Sequence, residues 1–384
     1  MGAPGERPLS VLLFGTYEST FPRSKTIVQG LRAAGAEVAE CHVPLWELTR
    51  DKTGGFAGKL GLVKLAFRIL WAYVRLLGKY LRAPRYDALV VGYMGYLDVF
   101  LARVLALRRR LVLSPVVSLY ETVVSDRKMV RSKLVASLVK GIDRWGCRLA
   151  DVILLETSEY IRYYGETFSV PAAKFARIFL GADETNFVPR GEEAARRGDG
   201  KFLVFFYGKF TPLQGIPYIL RAASRLLSER DVAFEIVGSG QLSAAMKALA
   251  AELGLGNVTF IDWVDYGELP SHIARADLCL GIFGDTEKAA RGVPVKAFDA
   301  MAMGRPIVNG DSPASREVFT HGESAWLVPM GDDAALADAI LHLRADPALR
   351  GKLAAGARRA FEERYSQARI GRALVEAIGA RRSA

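Results

Sequence analysis

The chain has 384 residues, of which 51% are apolar and 24% are charged, a composition typical of a globular protein with two domains of ordinary size. It excludes a disordered, collagen-like or disulfide-stapled chain, and Cys41, Cys147 and Cys279 match no metal-ligand spacing. The first eight residues carry no secretory signal, and no stretch offers the roughly 18 uncharged apolar residues of a spanning helix. We therefore expect a cytoplasmic protein.

The positive charge is concentrated in the first half of the chain. The net charge is +11, and residues 1–190 carry all of it, with 28 Lys and Arg against 17 Asp and Glu. Residues 51–150 alone carry 19 basic and 6 acidic residues. A solubilising charge would be spread evenly, so this asymmetry favours an anionic partner or membrane at the N-terminal half, with compositional drift as the alternative.

In chain order, the first half alternates strands with helices. Alternation of this kind predicts a parallel sheet with helices on both faces. The strand-like runs are 9–14, 37–41, 88–92, 111–119 and 152–155, and a first helix is predicted at 24–34.

Residues 60–82 predict an amphipathic helix with an unusual apolar surface. At about 100° per residue its five cations fall within a stripe roughly 60° wide, and nearly everything else is apolar. Either the helix is buried on two sides, or part of it enters an anionic bilayer while the cations meet headgroups. Trp71 and Tyr73 suit both interpretations. The cations are Lys64, Arg68, Arg75, Lys79 and Arg82.

A polar, charged stretch at 186–200 predicts a linker, after which the same alternation begins again. We predict domains at 1–190 and 191–365 and a last helix at 366–384. In open parallel sheets ligands bind beyond the carboxyl ends of strands, so the expected site is the cleft between two such domains. The second set of strands is predicted at 202–207, 234–237, 258–261, 278–282 and 306–309, and helices at 217–227, 242–251, 295–303, 334–343 and 354–378.

Two glycine turns of the second half are candidate ligand sites. Gly208-Lys209 follows a strand and precedes a helix, an arrangement that suits a phosphate, although most such turns bind nothing. Gly238-x-Gly240 also follows a strand, but it lies on the second strand of its domain with no acid about 20 residues on. This disfavours a nicotinamide dinucleotide.

Residues 281–306 are the richest in candidates. Lys288 and Arg291 lie in a loop, and a helix then begins near Pro294 and carries Lys296 and Asp299. The carboxylate could accept hydrogen bonds from a vicinal diol such as ribose, and the cations could neutralise a diphosphate. The alternative is an i,i+3 ion pair on a solvated helix face. Ser312 and Glu317 belong to a further helix start that points to the same edge.

Together these motifs resemble the donor-binding domain of glycosyltransferase family 4, a family of retaining enzymes with the GT-B fold. The resemblance covers 202–365 closely and the first half loosely. It implies an α/β protein of the GT-B class, with two Rossmann-like parallel-sheet domains facing an interdomain cleft and a nucleoside-diphosphate sugar as co-substrate. No D-x-D triad occurs, so no metal or other cofactor is expected. The matching residues are Gly208-Lys209, Gln214-Gly215, Gly238, Gly240, Pro294-x-Lys296-x-Phe298-Asp299, Gly304-x-Pro306, Glu317 and His321-Gly322-Glu323.

By this resemblance Asp299 holds the ribose and Lys209 meets the diphosphate. Gln214 stands where the family has a lysine, and Arg291 stands where it has the first acid of its E-x7-E pattern. Lys288, Arg291 and Lys296 are the cations available to take over the diphosphate contact, so we interpret the chain as an altered but active enzyme. The predicted catalytic residues are Lys209, Lys288 and Arg291; the predicted donor-binding residues are Gly208, Gln214, Gly238, Gly240, Lys296, Asp299, Ser312 and Glu317.

The acceptor side is less well specified. The loose match implies Gly15, Thr16 and Arg23, and the family's acceptor-side histidine has no counterpart, so the remaining candidates are Glu121, Asp126 and Arg127. The predicted function is retaining transfer of a sugar to a lipid-linked or polysaccharide acceptor at the cytoplasmic membrane face. The alternatives are a non-catalytic GT-B module that binds nucleotide or glycan, and a nucleic-acid binder, for which no readout element is found.

Overall fold

The computed structural model describes residues 7–47, 59–126, 129–130, 132–191 and 200–379. It divides the chain into two compact units, Met1–Leu180 with Gln367–Ala384, and Gly181–Ser366. The first unit ends at Leu180 rather than near 190, and residues 192–199 of the predicted linker lie outside the described residues. Among the described helices, none is long and apolar enough to cross a membrane.

The first unit contains a six-stranded parallel sheet of order β2-β1-β3-β4-β5-β6. Strand β4 stops at Leu113, short of the predicted 119, because Pro115 has no N–H to continue the ladder. Strand β6, with three residues, is too short for a period-2 pattern to predict. The strands are β1 Ser10–Gly15, β2 Glu37–His42, β3 Ala88–Val91, β4 Arg110–Leu113, β5 Val152–Leu155 and β6 Phe175–Arg177.

Four helices cover one face of this sheet. Ala72, Val99, Cys147 and Tyr164, one from each helix α2 to α5, share a core with β-strand side chains such as Leu12. A separate core on the opposite face contains α1. The helices are α1 Pro22–Ala33, α2 Lys59–Tyr80, α3 Asp98–Ala106, α4 Lys133–Leu149 and α5 Ser158–Phe168, with short turns of helix at Glu121–Asp126 and Ala172–Lys174.

The second unit repeats this architecture with a six-stranded parallel sheet. Its order is β12-β11-β10-β7-β8-β9. Side chains from these strands and from the surrounding helices form one hydrophobic core. The strands are β7 Phe202–Tyr207, β8 Val232–Val237, β9 Val258–Ile261, β10 Leu278–Leu280, β11 Ile307–Asp311 and β12 Trp326–Pro329. The helices are α6 Ile216–Arg225, α7 Ser243–Glu252, α8 Leu269–Arg275, α9 Glu287–Arg291, α10 Val295–Ala302, α11 Pro313–Val318, α12 Asp333–Ala345 and α13 Pro347–Ala360, with short helical turns at Pro212–Gln214 and Phe361–Tyr365.

The chain ends in helix α14, Gln367–Gly379, which packs against α1 in the first unit. The two helices approach closely at Gly30 and Gly371, since a Cβ on Gly371 would overlap the Gly30 carbonyl oxygen. The stretch predicted as helical at 354–378 contains the end of α13, a short helical turn and most of α14, and the last helix begins at Gln367, close to the predicted 366. Ser366 adopts an extended conformation with φ −63° and ψ 153°, which ends one helical segment before the next begins.

Candidate active site

The carboxyl ends of β7 and β8 bring two glycine turns into direct contact. A Cβ on Gly238 would overlap the Gly208 carbonyl oxygen, and a Cβ on Gly240 would lie 2.8 Å from the backbone nitrogen of Phe210. Gly208 and Gly238 also have φ angles of 153° and 137°, a region that side chains disfavour. Because only glycine fits here, Gly208, Gly238 and Gly240 form a backbone surface that we call the glycine floor.

The loop after β10 packs against the same region through Gly284. A Cβ on Gly284 would lie 2.5 Å from the Pro212 carbonyl oxygen, and a Cβ on Gly215 would overlap the Gly284 backbone nitrogen. Gly215 has a φ of 71° and separates the short helix ending at Gln214 from α6. Three loops from three strands thus meet without intervening side chains at the carboxyl edge of the second sheet.

Lys296 extends from α10 to the glycine floor and is 7% exposed. Its Nζ donates a hydrogen bond to Gln214 Oε1, lies 3.5 Å from the Phe206 ring centroid, and would be 3.0 Å from a Cβ on Gly208. No carboxylate among residues 200–379 pairs with this amine. Burial therefore lowers the pKa of the Lys296 amine well below its usual value.

Asp299, one turn further along α10, is 1% exposed. The Tyr207 hydroxyl donates to its Oδ2, whereas its Oδ1 is buried without a hydrogen-bond partner in the described structure. Burial raises the pKa of the Asp299 carboxyl to about 8; the Tyr207 hydrogen bond opposes the rise, and the Asp183 carboxylate adds to it. One oxygen of this carboxyl is thus occupied by the protein, and the other is left to accept from a ligand hydroxyl.

These contacts decide between the two interpretations of the i,i+3 pair. Lys296 and Asp299 are both buried, and each has a separate partner on or beside β7 rather than the other. A solvated ion pair on a helix face is therefore excluded. The predicted Asp299, Lys296, Gln214 and Gly208 lie together, and because Asp299 Oδ2 already accepts from Tyr207, Oδ1 is the oxygen left for a diol hydroxyl.

The remaining predicted cations lie on the loops around the glycine floor. Lys209 follows Gly208 and is exposed, and Lys288 is partly exposed in the five-residue helix α9. Arg291 forms an i,i+4 ion pair with Glu287 in that helix. Since Glu287 already partly neutralises Arg291, its charge is less available to a diphosphate than the sequence suggested.

Ser312 lies at the carboxyl end of β11, and Glu317 lies near the end of the following helix α11. The Ser312 hydroxyl accepts from the Ser315 backbone nitrogen at 3.0 Å, and the Ser315 hydroxyl accepts from the Ser312 backbone nitrogen. This capping box at the start of α11 occupies the Ser312 side chain. The Glu317 side chain is partly buried, and its backbone carbonyl accepts from Arg364. Their contact with a donor stays a prediction.

The predicted acceptor residues belong to the first unit and are mostly buried. Thr16 donates through its backbone nitrogen and its hydroxyl to Asp98, and a Cβ on Gly15 would overlap that carboxylate. Arg23 is 1% exposed and donates to Ser114 Oγ and to two backbone carbonyl oxygens. Both polar side chains are thus used by the protein itself, and their role toward an acceptor stays a prediction.

The other acceptor candidates are only partly described. Glu121 is 1% exposed at the start of a short helical turn. The Asp126 side chain and the whole of Arg127 lie outside the described residues. Near Glu121, sequence reasoning missed Glu156 at the end of β5, where burial raises the pKa to about 8. An acid directly after a buried strand is the signal that could have identified it.

Sequence reasoning also missed the role of Tyr207, because a tyrosine at the end of a strand is an ordinary packing residue. Tyr266 is a further neighbour; the Asp299 and Asp183 carboxylates add to the effect of burial and raise the pKa of its hydroxyl. Within the described residues no group of three or more His, Cys, Asp or Glu side chains could hold a metal ion. The polar groups that the structure places beside the glycine floor are the Lys296 amine, the Gln214 amide and the Asp299 carboxyl.

The segment that carries these residues is similar to a known protein family. Residues 201–346 match the family model Glycosyl transferases group 1. The match begins before β7 and ends in the region of α12, so it contains the glycine floor, Lys296 and Asp299. The part of the chain that sequence reasoning assigned to a nucleotide-sugar donor is thus similar to that family.

Two curated relatives are also named as glycosyltransferases. The amylovoran biosynthesis glycosyltransferase AmsK of Erwinia amylovora is 26% identical over 59% of this chain and 56% of its own length. A GDP-mannose-dependent phosphatidylinositol monomannoside mannosyltransferase of Mycolicibacterium smegmatis is 27% identical over 61% of this chain and 64% of its own length. The matched regions thus span less than two thirds of either relative.

Solved structures match nearly the whole chain. Anabaena HepE, in a complex with UDP, covers 97% of this chain with a TM-score of 0.69 and 15% identity. Sucrose-phosphate synthase of Thermosynechococcus elongatus covers 96% with a TM-score of 0.72 and 18% identity. With the two six-stranded parallel sheets, these matches confirm the prediction of a GT-B fold.

Proposed function

We propose that the protein is a glycosyltransferase that uses a nucleoside-diphosphate sugar bound in its second unit. The observation that carries the proposal is a pair of buried polar atoms without ionic partners. Among the described residues, Lys296 Nζ forms no ion pair, and Asp299 Oδ1 accepts no hydrogen bond. Both lie beside the glycine floor in the segment that matches the glycosyltransferase family model.

The chemistry of a nucleoside diphosphate matches these atoms. A diphosphate is an anion that would supply the missing partner of the Lys296 amine, and backbone at the glycine floor can approach phosphate oxygens closely. A ribose hydroxyl would donate to Asp299 Oδ1, leaving the Tyr207 hydrogen bond to Oδ2 intact. The structural neighbour HepE was crystallised with UDP and with UDP-glucose, which supports a nucleoside diphosphate as the class of ligand.

The proposed reaction needs little acid–base chemistry. When the bond between sugar C1 and the diphosphate oxygen ionises, positive charge develops on the ring and negative charge on the leaving group. Lys209, Lys288 and Lys296 would stabilise that negative charge, which is often the largest contribution to catalysis. We further propose a retaining outcome without a protein nucleophile and without a metal, as the family resemblance implies.

We propose a lipid-linked or polysaccharide acceptor, presented at the cytoplasmic face of a membrane. The support is the positive charge of residues 51–150 and the relatives named for amylovoran and phosphatidylinositol mannoside synthesis. Such acceptors carry phosphate groups or lie among anionic lipids, so a basic first unit would attract them.

The second candidate function is a non-catalytic nucleotide-binding protein. It is favoured by Arg291, which replaces the first acid of the family pattern and pairs with Glu287. The experiment that separates the two candidates incubates the protein with UDP-, GDP- and ADP-sugars and measures both thermal shift and slow release of free nucleotide. A shift with release supports the enzyme, a shift without release supports the binding protein, and no shift with any nucleotide refutes the donor site.

A further inference from the structure

Three neighbouring helices of the first unit expose apolar side chains on the side facing away from the sheet. We call this surface, formed by α2, α3 and α4, the outer helical face. The strand order places the three helices side by side on one face of the sheet, because α2 leads into β3, α3 connects β3 to β4, and α4 connects β4 to β5. Its exposed apolar residues are Phe67, Leu70, Trp71, Val74 and Leu77 on α2 with Leu81 just after it, Val104 on α3 with Leu107 just after it, and Leu134, Val135, Leu138 and Trp145 on α4.

The sequence pattern identified α2 but not α4. Leu134, Leu138 and Trp145 are 73%, 63% and 55% exposed, and they fall within about 40° of arc on the helix. Asp143 and Cys147, on the opposite side of α4, are buried. The helix therefore has a narrow apolar stripe pointing outward, in addition to the side that packs on the sheet.

Cations border the stripe on α4 as they do on α2. Lys133, Arg144 and Arg148 are exposed and occupy roughly the next 60° of arc beside the apolar stripe. The Arg148 guanidinium lies 5.1 Å from the Trp145 ring centroid, and on α2 Arg75 lies 4.6 Å from the Trp71 ring. An indole with a neighbouring cation suits the headgroup boundary of a bilayer.

The acidic residues of this part of the chain do not neutralise the positive charge that α2 and α4 expose at the surface. Among residues 59–150 with described side chains, Asp98, Glu121 and Asp143 are buried, and Asp87 pairs with Arg7. The cations of α2 and α4 are mostly exposed. The outer helical face is therefore both apolar and strongly positive. A second copy of this chain would bring like charges together, whereas an anionic bilayer complements both properties.

We propose that α4 docks on an anionic bilayer together with α2, with Leu134, Leu138 and Trp145 entering the headgroup region. The proposal deepens the proposed function and rests on it in one respect, the location of the acceptor at a membrane. It adds a second contact element on the same face of the sheet. Two helices fix the orientation of the first unit on a surface, whereas a single helix leaves rotation about its axis free.

The test is bromolipid quenching with the full chain. The Trp71→Phe variant is mixed with vesicles of about one part phosphatidylglycerol to two parts brominated phosphatidylcholine. Comparing its emission with that of the same variant carrying Trp145→Phe isolates the quenching of Trp145. Trp263, 69% exposed in the second unit, provides the control: Trp263→Phe should leave unchanged the amount of emission that the brominated lipid removes.

A partition measurement complements the quenching. Leu138→Gln should lower binding to the anionic vesicles on the order of tenfold, since one exposed leucine no longer enters the bilayer. The matched control Leu227→Gln, at a leucine 40% exposed in the second unit, should leave binding unchanged. Nucleotide-sugar turnover in solution, measured on the same variants, should not change.

Each of the other possible results refutes one part of the proposal. Vesicle binding without Trp145 quenching would refute the role of α4 and leave α2 as the contact. No binding to anionic vesicles would refute the bilayer for the whole outer helical face, and a dimer that Leu138→Gln dissociates would identify a second copy as the occupant. If the unaltered chain turns over no nucleotide sugar while Trp145 is quenched as expected, the proposed enzyme activity is refuted and the bilayer contact of α4 stands.

Discussion

Replacing Lys296 by methionine tests the donor site most directly, because it removes the amine and keeps the length and apolar stem of the side chain. A hydrogen bond to a charged group contributes about 1.5–3 kcal/mol, so UDP should bind about 10- to 150-fold more weakly. The measurement is a calorimetric titration of the ligand-free protein with UDP near neutral pH.

The same substitution should not lower the free energy of unfolding. The amine gains about 1 kcal/mol from its hydrogen bond to Gln214 and about 0.5–2 kcal/mol from the Phe206 ring. Taking an ammonium out of water without a carboxylate costs several kcal/mol, which exceeds those gains. We therefore expect the ligand-free Lys296→Met protein to be at least as stable as the unaltered chain in denaturant unfolding.

Proton uptake gives an independent readout of the same group. Burial lowers the pKa of the free amine, and a bound diphosphate would raise it again. Binding should therefore take up protons at pH values between the two pKa values, and UDP affinity should fall as the pH rises. Titrations in buffers of different ionisation enthalpy measure this uptake, and Lys296→Met should abolish it.

Two controls make the test specific. Lys247→Met removes a surface lysine that pairs with Asp262 at 2.7 Å; it should change stability by about 1 kcal/mol or less and leave UDP binding unchanged. The exchange Gln214→Lys with Lys296→Gln moves the cation to its hydrogen-bond neighbour and should recover most of the lost affinity. Equal UDP affinity of the Lys296→Met variant and the unaltered chain would refute the reasoning.

Three further predictions follow from the same region. Lys209→Ala should lower turnover of a nucleotide sugar about 100-fold or more and UDP affinity much less, because it acts on the leaving group; equal losses in both would contradict this. Burial raises the folded-state pKa of Asp299 to about 8, so the stability it contributes at low pH is lost as the pH rises from about 4 to 8. Asp299→Asn should flatten the fall in unfolding free energy across that range, and an unchanged slope would show that the carboxyl is charged in the folded protein. Gly238→Ala should destabilise the protein by about 2 kcal/mol or more in denaturant unfolding, since its Cβ meets backbone at positive φ, whereas Gly267→Ala, with open space around it, should change stability little.

The linear pattern predicted most strands of both sheets, because buried parallel strands are short apolar runs bounded by turns. It failed where a pattern was too short or locally ambiguous. Three-residue β6 has no detectable period, and the run predicted as strand at 111–119 ends at Leu113, two residues before Pro115. The glycine turns were found because a tight approach of backbone to backbone leaves glycine as the only residue that fits.

The candidate site was also only partly predictable from the sequence. Lys296 and Asp299 were identified from their spacing and from the family resemblance, but their partners were not. Gln214 and Tyr207 lie 82 and 92 residues away along the chain. A linear pattern carries no information about such contacts, so it could not distinguish an exposed ion pair from two buried groups with separate partners.

The amino-acid sequence alone determined the alternation of strands and helices, the glycine turns and the basic character of the first half, since these depend on neighbouring residues and on composition. Only the tertiary structure decided which polar atoms are buried without partners and which apolar faces remain exposed. Periodicity defines the faces of α2 and α4, but whether a face is covered depends on distant elements that fold against it. The outer helical face and the buried Lys296 amine, which has no ion pair among the described residues, are both consequences of that packing.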